Sequence, residues 1–281
     1  MGPRRLAGQF RASLKPGSTT LTLPYDIDCL VYSSHKSGTE TLRATLNHSG
    51  IPAYCIHQLR NAAMPSGHGV FRSYLAQYRR RTNRKLDVVS TFRLPWERHM
   101  SSFFQWYGTG AVRKGWVRTA DDTVIARLNV DELQQLFLGE LRDGSLAGRH
   151  DSLHELCGEL GLEVTALPFD VTSGFGTFEN DLVRLHLFRF DLLFVQLASL
   201  LEEALNVPVS PKTANFSPDK WYWQKFQEFA STLTAQPDLI KTIHAPKKDL
   251  IDVFYPDRYQ EILNEHLARY AGLPDSEGLS Q

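Results

Sequence analysis

Hydrophobic positions fall into two rhythms along the first hundred residues. Short apolar runs bounded by turn signals alternate with stretches in which apolar residues recur every three or four positions. The runs "IDCLVY" (27–32), "AYCIH" (53–57) and "DVVSTF" (87–92) read as buried strands. After the first comes 39–48, where Leu42 and Leu46 share one helical face; 70–84 and Pro95 to about Tyr107 read as the next two helices. Strands alternating with helices predict an α/β class, an open parallel sheet flanked by helices.

Beyond residue 110 the rhythm is mainly helical. "VDELQQLFLGEL" and "HDSLHELCGEL" carry a 3.6-residue repeat, and the C-terminal third reads as further helices. Between them "ALPFDVTSGFGTFEN" reads as loop, and "RLHLFRFDLL" contains a fourth strand at 184–190. There is no internal repeat or clear linker. The expected organisation is an N-terminal extension (1–26), one domain (27–270) and a flexible polar tail (271–281).

Composition narrows the function classes. The 281 residues carry 31 Lys plus Arg against 31 Asp plus Glu, so no global field favours nucleic acid or an acidic membrane. Any basic site is therefore local. The three cysteines show no CxxC spacing, which disfavours a zinc site or a disulfide framework. The N-terminus has basic residues but no apolar core of about 7 to 15 residues, and Leu6 stands where a myristoylation signal wants Ser or Thr. No run reaches membrane-spanning length, so a cytoplasmic location is expected.

Two stretches carry candidate chemistry. In "SSHKSGTETL" a strand runs through a Gly-containing turn into a helix N-terminus, where free amides and the helix dipole favour an anion. Lys36 adds charge, Ser37 to Thr41 add amides, Gly38 permits close approach, and Thr39 and Thr41 offer hydroxyls. A Walker loop places its lysine after the last glycine; here the order is Lys-Ser-Gly-Thr, and GxxxxGK[ST] occurs nowhere in the chain. Taken alone the turn is equally a plain polar turn before a helix. The second stretch, "STFRLPWERHMSSFFQ", leaves strand three with Arg93 at its carboxyl end, where open α/β sheets bind ligands. Pro95 suits a first helical turn, and Arg98 and Ser101 are three apart on one face. Such a cluster suits a second phosphate, or an arginine network that packs a helix. Two anion sites at neighbouring strand ends are the informative combination.

"KSGTETL" resembles the 5′-phosphosulfate loop of the sulfotransferase superfamily, and "RLPWERHMSSF" is similar to its 3′-phosphate motif. "LFRFDLL" and "DVFYPDRYQEI" resemble later segments of that family, so the resemblance spans about 27–265. It implies a P-loop-like sulfotransferase fold with additional helices. The implied donor is 3′-phosphoadenosine-5′-phosphosulfate (PAPS) and the product PAP, with no metal required. Lys36 would meet the leaving phosphate oxygen; Ser37 to Thr41, including Glu40, would surround the 5′-phosphate. Arg93 and Ser101 would hold the 3′-phosphate, with Arg98 supporting. Glu40 departs from the usual Thr and is expected to point away, with Thr41 supplying the hydroxyl. His57, just after the second strand, is the expected general base, with His35, Glu40 and His68 as competitors.

"NFSPDKWYWQKF" (215–226) resembles the Asn-Lys-Trp-Tyr signature of a bacterial capsular-polysaccharide synthesis group, although Asp219 departs from it. It equally suits an aromatic helix face in the core. The implied acceptor is a hydroxyl of a carbohydrate, such as a capsular or surface polysaccharide, and the implied partners are other polysaccharide-synthesis enzymes. "VRKGW" (112–116) is similar to an Arg-Lys-Gly motif of cytosolic sulfotransferases, but sits mid-chain rather than near the C-terminus. The competing expectations are an ATP-dependent phosphotransferase and a non-catalytic nucleotide-binding member of the same fold.

Overall fold

A computed structural model describes residues 23–57, 70–115, 117–144, 152–193, 195–214 and 217–272. His68, most of the N-terminal extension and residues 273–281 of the tail lie outside it. Strand β1 (Cys29–Tyr32) is wholly buried, as an unbroken apolar run in a central strand should be. It leads through residues 33–38 into helix α1 (Thr39–His48), then β2 (Ala53–Ile56), α2 (Val70–Thr82), β3 (Leu86–Phe92) and α3 (Pro95–Gln105). After a helical middle come β4 (Phe175–Glu179) and β5 (Val183–Arg189), followed by a helical C-terminal third.

The sheet order is β2-β1-β3-β5-β4. The first four of these strands are parallel, and β4 closes the edge antiparallel to β5. The chain moves from β1 outward to β2, then returns to β3 on the other side of β1. Their carboxyl ends thus flank a topological switch point, where open α/β sheets form ligand crevices.

Three expectations need correction. The sheet is mixed rather than wholly parallel, and part of the segment read as loop is strand β4. Its signal was hidden by glycine: a Cβ on Gly176 would lie 2.1 Å from the Pro168 carbonyl oxygen, so close backbone packing excludes a strand-favouring side chain. The helix from Pro95 also changes character before Tyr107. Residues Trp106–Gly110 form a π-helical turn that contains a non-helical residue, Gly108.

Three apolar clusters fix this frame. One face of the sheet, with Leu30, Val88 and Leu185, packs under α2 and the helices Ser152–Leu160 and Lys248–Phe254. The other face, with Val31, Val89 and Phe188, packs under α1 and the helix Leu197–Leu205. The third cluster joins α3 to the helices Val130–Asp143, Trp223–Thr232, Pro237–His244 and Tyr259–Ala271 around Trp96, Phe103 and Phe229. Burial of Trp96 anchors α3 and so fixes where Arg98 emerges. No helix among the described residues is long and apolar enough to cross a membrane.

Candidate functional site

The turn after β1 is held by strand β3. Thr91 donates its backbone N–H to Ser33 Oγ (2.7 Å) and its hydroxyl to the Ser37 carbonyl (2.7 Å). Arg93 Nη1 donates to the Lys36 carbonyl (2.9 Å) while its guanidinium lies 4.4 Å from the centre of the Phe190 ring. These bonds hold Lys36 at φ 66°, a left-handed conformation that costs a non-glycine residue about 1–2 kcal/mol. Gly38, at φ 79°, then caps α1 without a side-chain acceptor at the helix N-terminus. The first-turn amides therefore face the turn, with the positive end of the helix dipole behind them.

The two motifs meet as expected. Ser37, Arg93 and Arg98 line one small cavity together with Ser34, Thr91, Leu153 and Lys247. Its side chains lie against one another and leave only about 10 Å³. Ser37 Oγ is buried there and has no hydrogen-bond partner among the described residues, which costs about 1–3 kcal/mol for a hydroxyl removed from water. Ser101 is half-buried on α3 and is not part of the cavity lining.

Several cations gather here. Burial pushes the Lys36 amine down to about 8, with the Arg93 and Lys220 charges acting in the same direction. Burial likewise pushes Arg93 down to about 10; Glu97 opposes the shift and Arg98 adds to it. Burial would raise the Glu97 carboxyl, but the hydrogen bond and charge of His266 prevail and hold it low. His266 bridges Glu97 (2.8 Å) to His244 (2.7 Å), fixing the carboxylate from behind α3.

The hydroxyls of α1 depart from expectation. Thr41 donates to the Ala214 carbonyl at 2.6 Å, and Thr39 is within hydrogen-bonding reach of the Cys55 thiol. The hydroxyl left for an anion is that of Ser37. Glu40, in the first turn of α1, is half-exposed and paired with Arg43 at 2.9 Å, and its charge also acts on His57 and Cys55.

His57 Nδ1 lies 2.8 Å from the Ser33 carbonyl oxygen, an acceptor, so Nδ1 carries the proton and Nε2 presents a lone pair. Ser152 ties down the same strand end by donating to the His57 carbonyl (2.9 Å). Burial holds the imidazole below its ordinary value; the Ser33 bond and Glu40 oppose this, and the Arg113 charge adds to it. His35 packs its ring on that of His57 at 3.9 Å between centres. His35 thus supports His57 sterically as much as it competes with it.

Among the contributors absent from the sequence-based site are Ser34, Lys247 and Lys220. Lys220 lies inside the Asn-Lys-Trp-Tyr-like stretch, which was the signal available for it. Ser34 and Lys247 offered none, because only the packing of the Ser152 and Lys248 helices against the sheet brings them together. Arg113, from "VRKGW", reaches His57 electrostatically although its motif stands mid-chain. No family model matches this chain, and no curated protein or solved structure is detectably similar to it.

Proposed function

We propose that the chain is a PAPS-dependent sulfotransferase of P-loop-like fold that moves a sulfuryl group to a carbohydrate hydroxyl. The observation that carries this reading is the meeting of Lys36, Ser37 and the α1 amides with Arg93 and Arg98 at one switch point. Two anion-holding sets at neighbouring strand ends suit a nucleoside with phosphates at both ends. Phosphate entry requires the long side chains of Arg93, Arg98 and Lys247 to part, which their flexible stems permit.

Sulfuryl transfer needs positioning and charge more than covalent chemistry, by analogy with phosphoryl transfer. The acceptor oxygen attacks sulfur in line, the bond from sulfur to the 5′-phosphate oxygen breaks, and charge grows on that oxygen. Lys36 and the α1 amides meet the growing charge. His57 Nε2 takes the acceptor's proton, a role worth about 10²–10⁴ in rate. Arg93, with Arg98 and Lys247, holds the 3′-phosphate. A capsular or surface glycan, and association with other enzymes of its synthesis, follow from the Asn-Lys-Trp-Tyr-like stretch.

The test is thermal stabilisation by PAP, ATP with magnesium, and UDP-sugars side by side. PAP alone should raise Tm. Stabilisation by ATP with magnesium but not PAP would replace this reading with a phosphotransferase. PAP binding with no turnover on any glycan would leave a nucleotide-binding member of the fold.

A further inference from the structure

Most large apolar side chains are buried, yet Trp106 and Trp221 stand 39% and 44% exposed. They come from distant parts of the chain and are connected through Tyr222. The π-helical turn Trp106–Gly110 is seated on Tyr222, whose ring would lie 2.9 Å from a Cβ added to Gly108. Tyr222 in turn meets Trp221 edge-on at 5.3 Å between ring centres. The turn depends on its glycines, since a Cβ on Gly110 would lie 2.7 Å from the Gln105 carbonyl oxygen. This backbone departs from α-helix in order to present Trp106 and the residues after it.

Those residues include two cations. Lys114 Nζ sits 3.4 Å from the centre of the Trp106 ring, and Arg113 precedes it, both exposed. Arg113 acts on His57, and Lys220, beside Trp221, acts on Lys36. A charge next in sequence to Trp221 and one borne by the segment after Trp106 are thus felt at the proposed loop lysine and base. Aromatic faces suit the C–H face of a sugar ring, and the neighbouring cations suit a carboxylate on it.

We infer that Trp106 and Trp221 form the acceptor platform and that Arg113 and Lys114 select a sugar bearing a carboxylate, a uronate-containing oligosaccharide. This rests on the sulfotransferase reading for its purpose, but its ligand is separate from the nucleotide.

Calorimetric titration of the full chain tests it, using glucuronate, galacturonate and mannuronate tetrasaccharides and their carboxyl-reduced neutral counterparts. At least one uronate should bind about tenfold or more tightly than its neutral counterpart. Trp106→Ala and Trp221→Ala should each weaken that binding about tenfold, with Tm and PAP affinity unchanged. Arg113→Ala combined with Lys114→Ala should erase the preference for the uronate while leaving neutral binding in place. Equal binding of charged and neutral sugars, no binding of any uronate, or tryptophan variants that bind like the parent would each overturn the inference. PAP titrated separately keeps the failures apart. Glycan binding without PAP binding would remove the donor reading and leave the platform; the converse would remove only the platform.

Discussion

The two ends of the central strands are both rich in charge, and they use it in opposite ways. At the amino ends of β1 and β3, Arg84 meets Asp28 at 2.6 Å, Lys85 meets Glu179 at 2.5 Å, and Asp87 accepts from Arg184 at 2.7 Å and His186 at 2.9 Å. Partners there favour the charged form: a hydrogen bond from Arg84 to Asp28 raises Arg84, and one from Lys85 holds Glu179 low. At the carboxyl ends, Lys36 and Arg93 are partly buried, and desolvation pushes both down, with the Arg93 and Lys220 charges adding to the Lys36 shift and Glu97 opposing that of Arg93. The amino end has a cavity of about 340 Å³, far larger than the one around Ser37, yet its ions are already matched. Matched ions hold a fold together; a desolvated group of cations around an unpartnered hydroxyl is an arrangement that an anion completes. Room alone is therefore a poor guide to the site in this molecule.

The strongest challenge to this contrast is a pair of substitutions, one at each end. Arg93→Ala should weaken PAP binding by about 2–3 kcal/mol, read by calorimetry, because it removes a charge-assisted phosphate contact. Asp87→Asn should instead lower stability by a comparable amount in urea unfolding, since it strands Arg184 and His186, while leaving PAP affinity alone. If Asp87→Asn weakened PAP binding as much as Arg93→Ala does, the two ends would not be separate in role.

A second expectation concerns pH. With Lys36 at about 8, PAP binds best to its protonated form, so affinity should fall above that pH, by up to about tenfold per unit. Folding stability should move the other way. A depressed lysine gains stability as pH rises from about 8 toward the ordinary lysine range, where the folded state has shed a proton that the unfolded chain keeps. Titrations between neutral pH and the lysine range check both, and Lys36→Ala should flatten each.

Ser37→Ala sharpens the comparison at smaller scale through opposite signs. Removing an unpartnered buried hydroxyl should leave stability unchanged or raise it by about 1 kcal/mol, while PAP affinity drops about fivefold. The smallest effect is conformational: Lys36→Gly should be more stable than Lys36→Ala by about 1 kcal/mol, since glycine accepts the left-handed backbone.

Much of this frame was legible in the sequence, for identifiable reasons. The helix expected over 39–48 is α1 to the residue, because Gly38 starts it and the Leu42–Leu46 spacing marks its buried face. Arg93 and Arg98 fall where strand-end and helix-face reasoning put them. What sequence could not disclose is which long-range partner claims a side chain. Thr41 looks like a loop hydroxyl, but its acceptor is Ala214, 173 residues away. Lys247 enters from a helical turn more than two hundred residues beyond the loop, and Ser37, a plain serine in the text, matters because packing leaves it unpartnered among the described residues. Strand β4 was hidden by Gly176, which close contact with Pro168 requires.

The central claim is that the carboxyl ends of β1 and β3 hold one nucleoside carrying two separate phosphates. Calorimetric titration with PAP and with adenosine 5′-phosphate tests it most directly. PAP should bind about thirtyfold or more tightly, and Arg93→Ala should remove most of the difference. Equal affinity for the two nucleotides, or a preference that survives in Arg93→Ala, would contradict it.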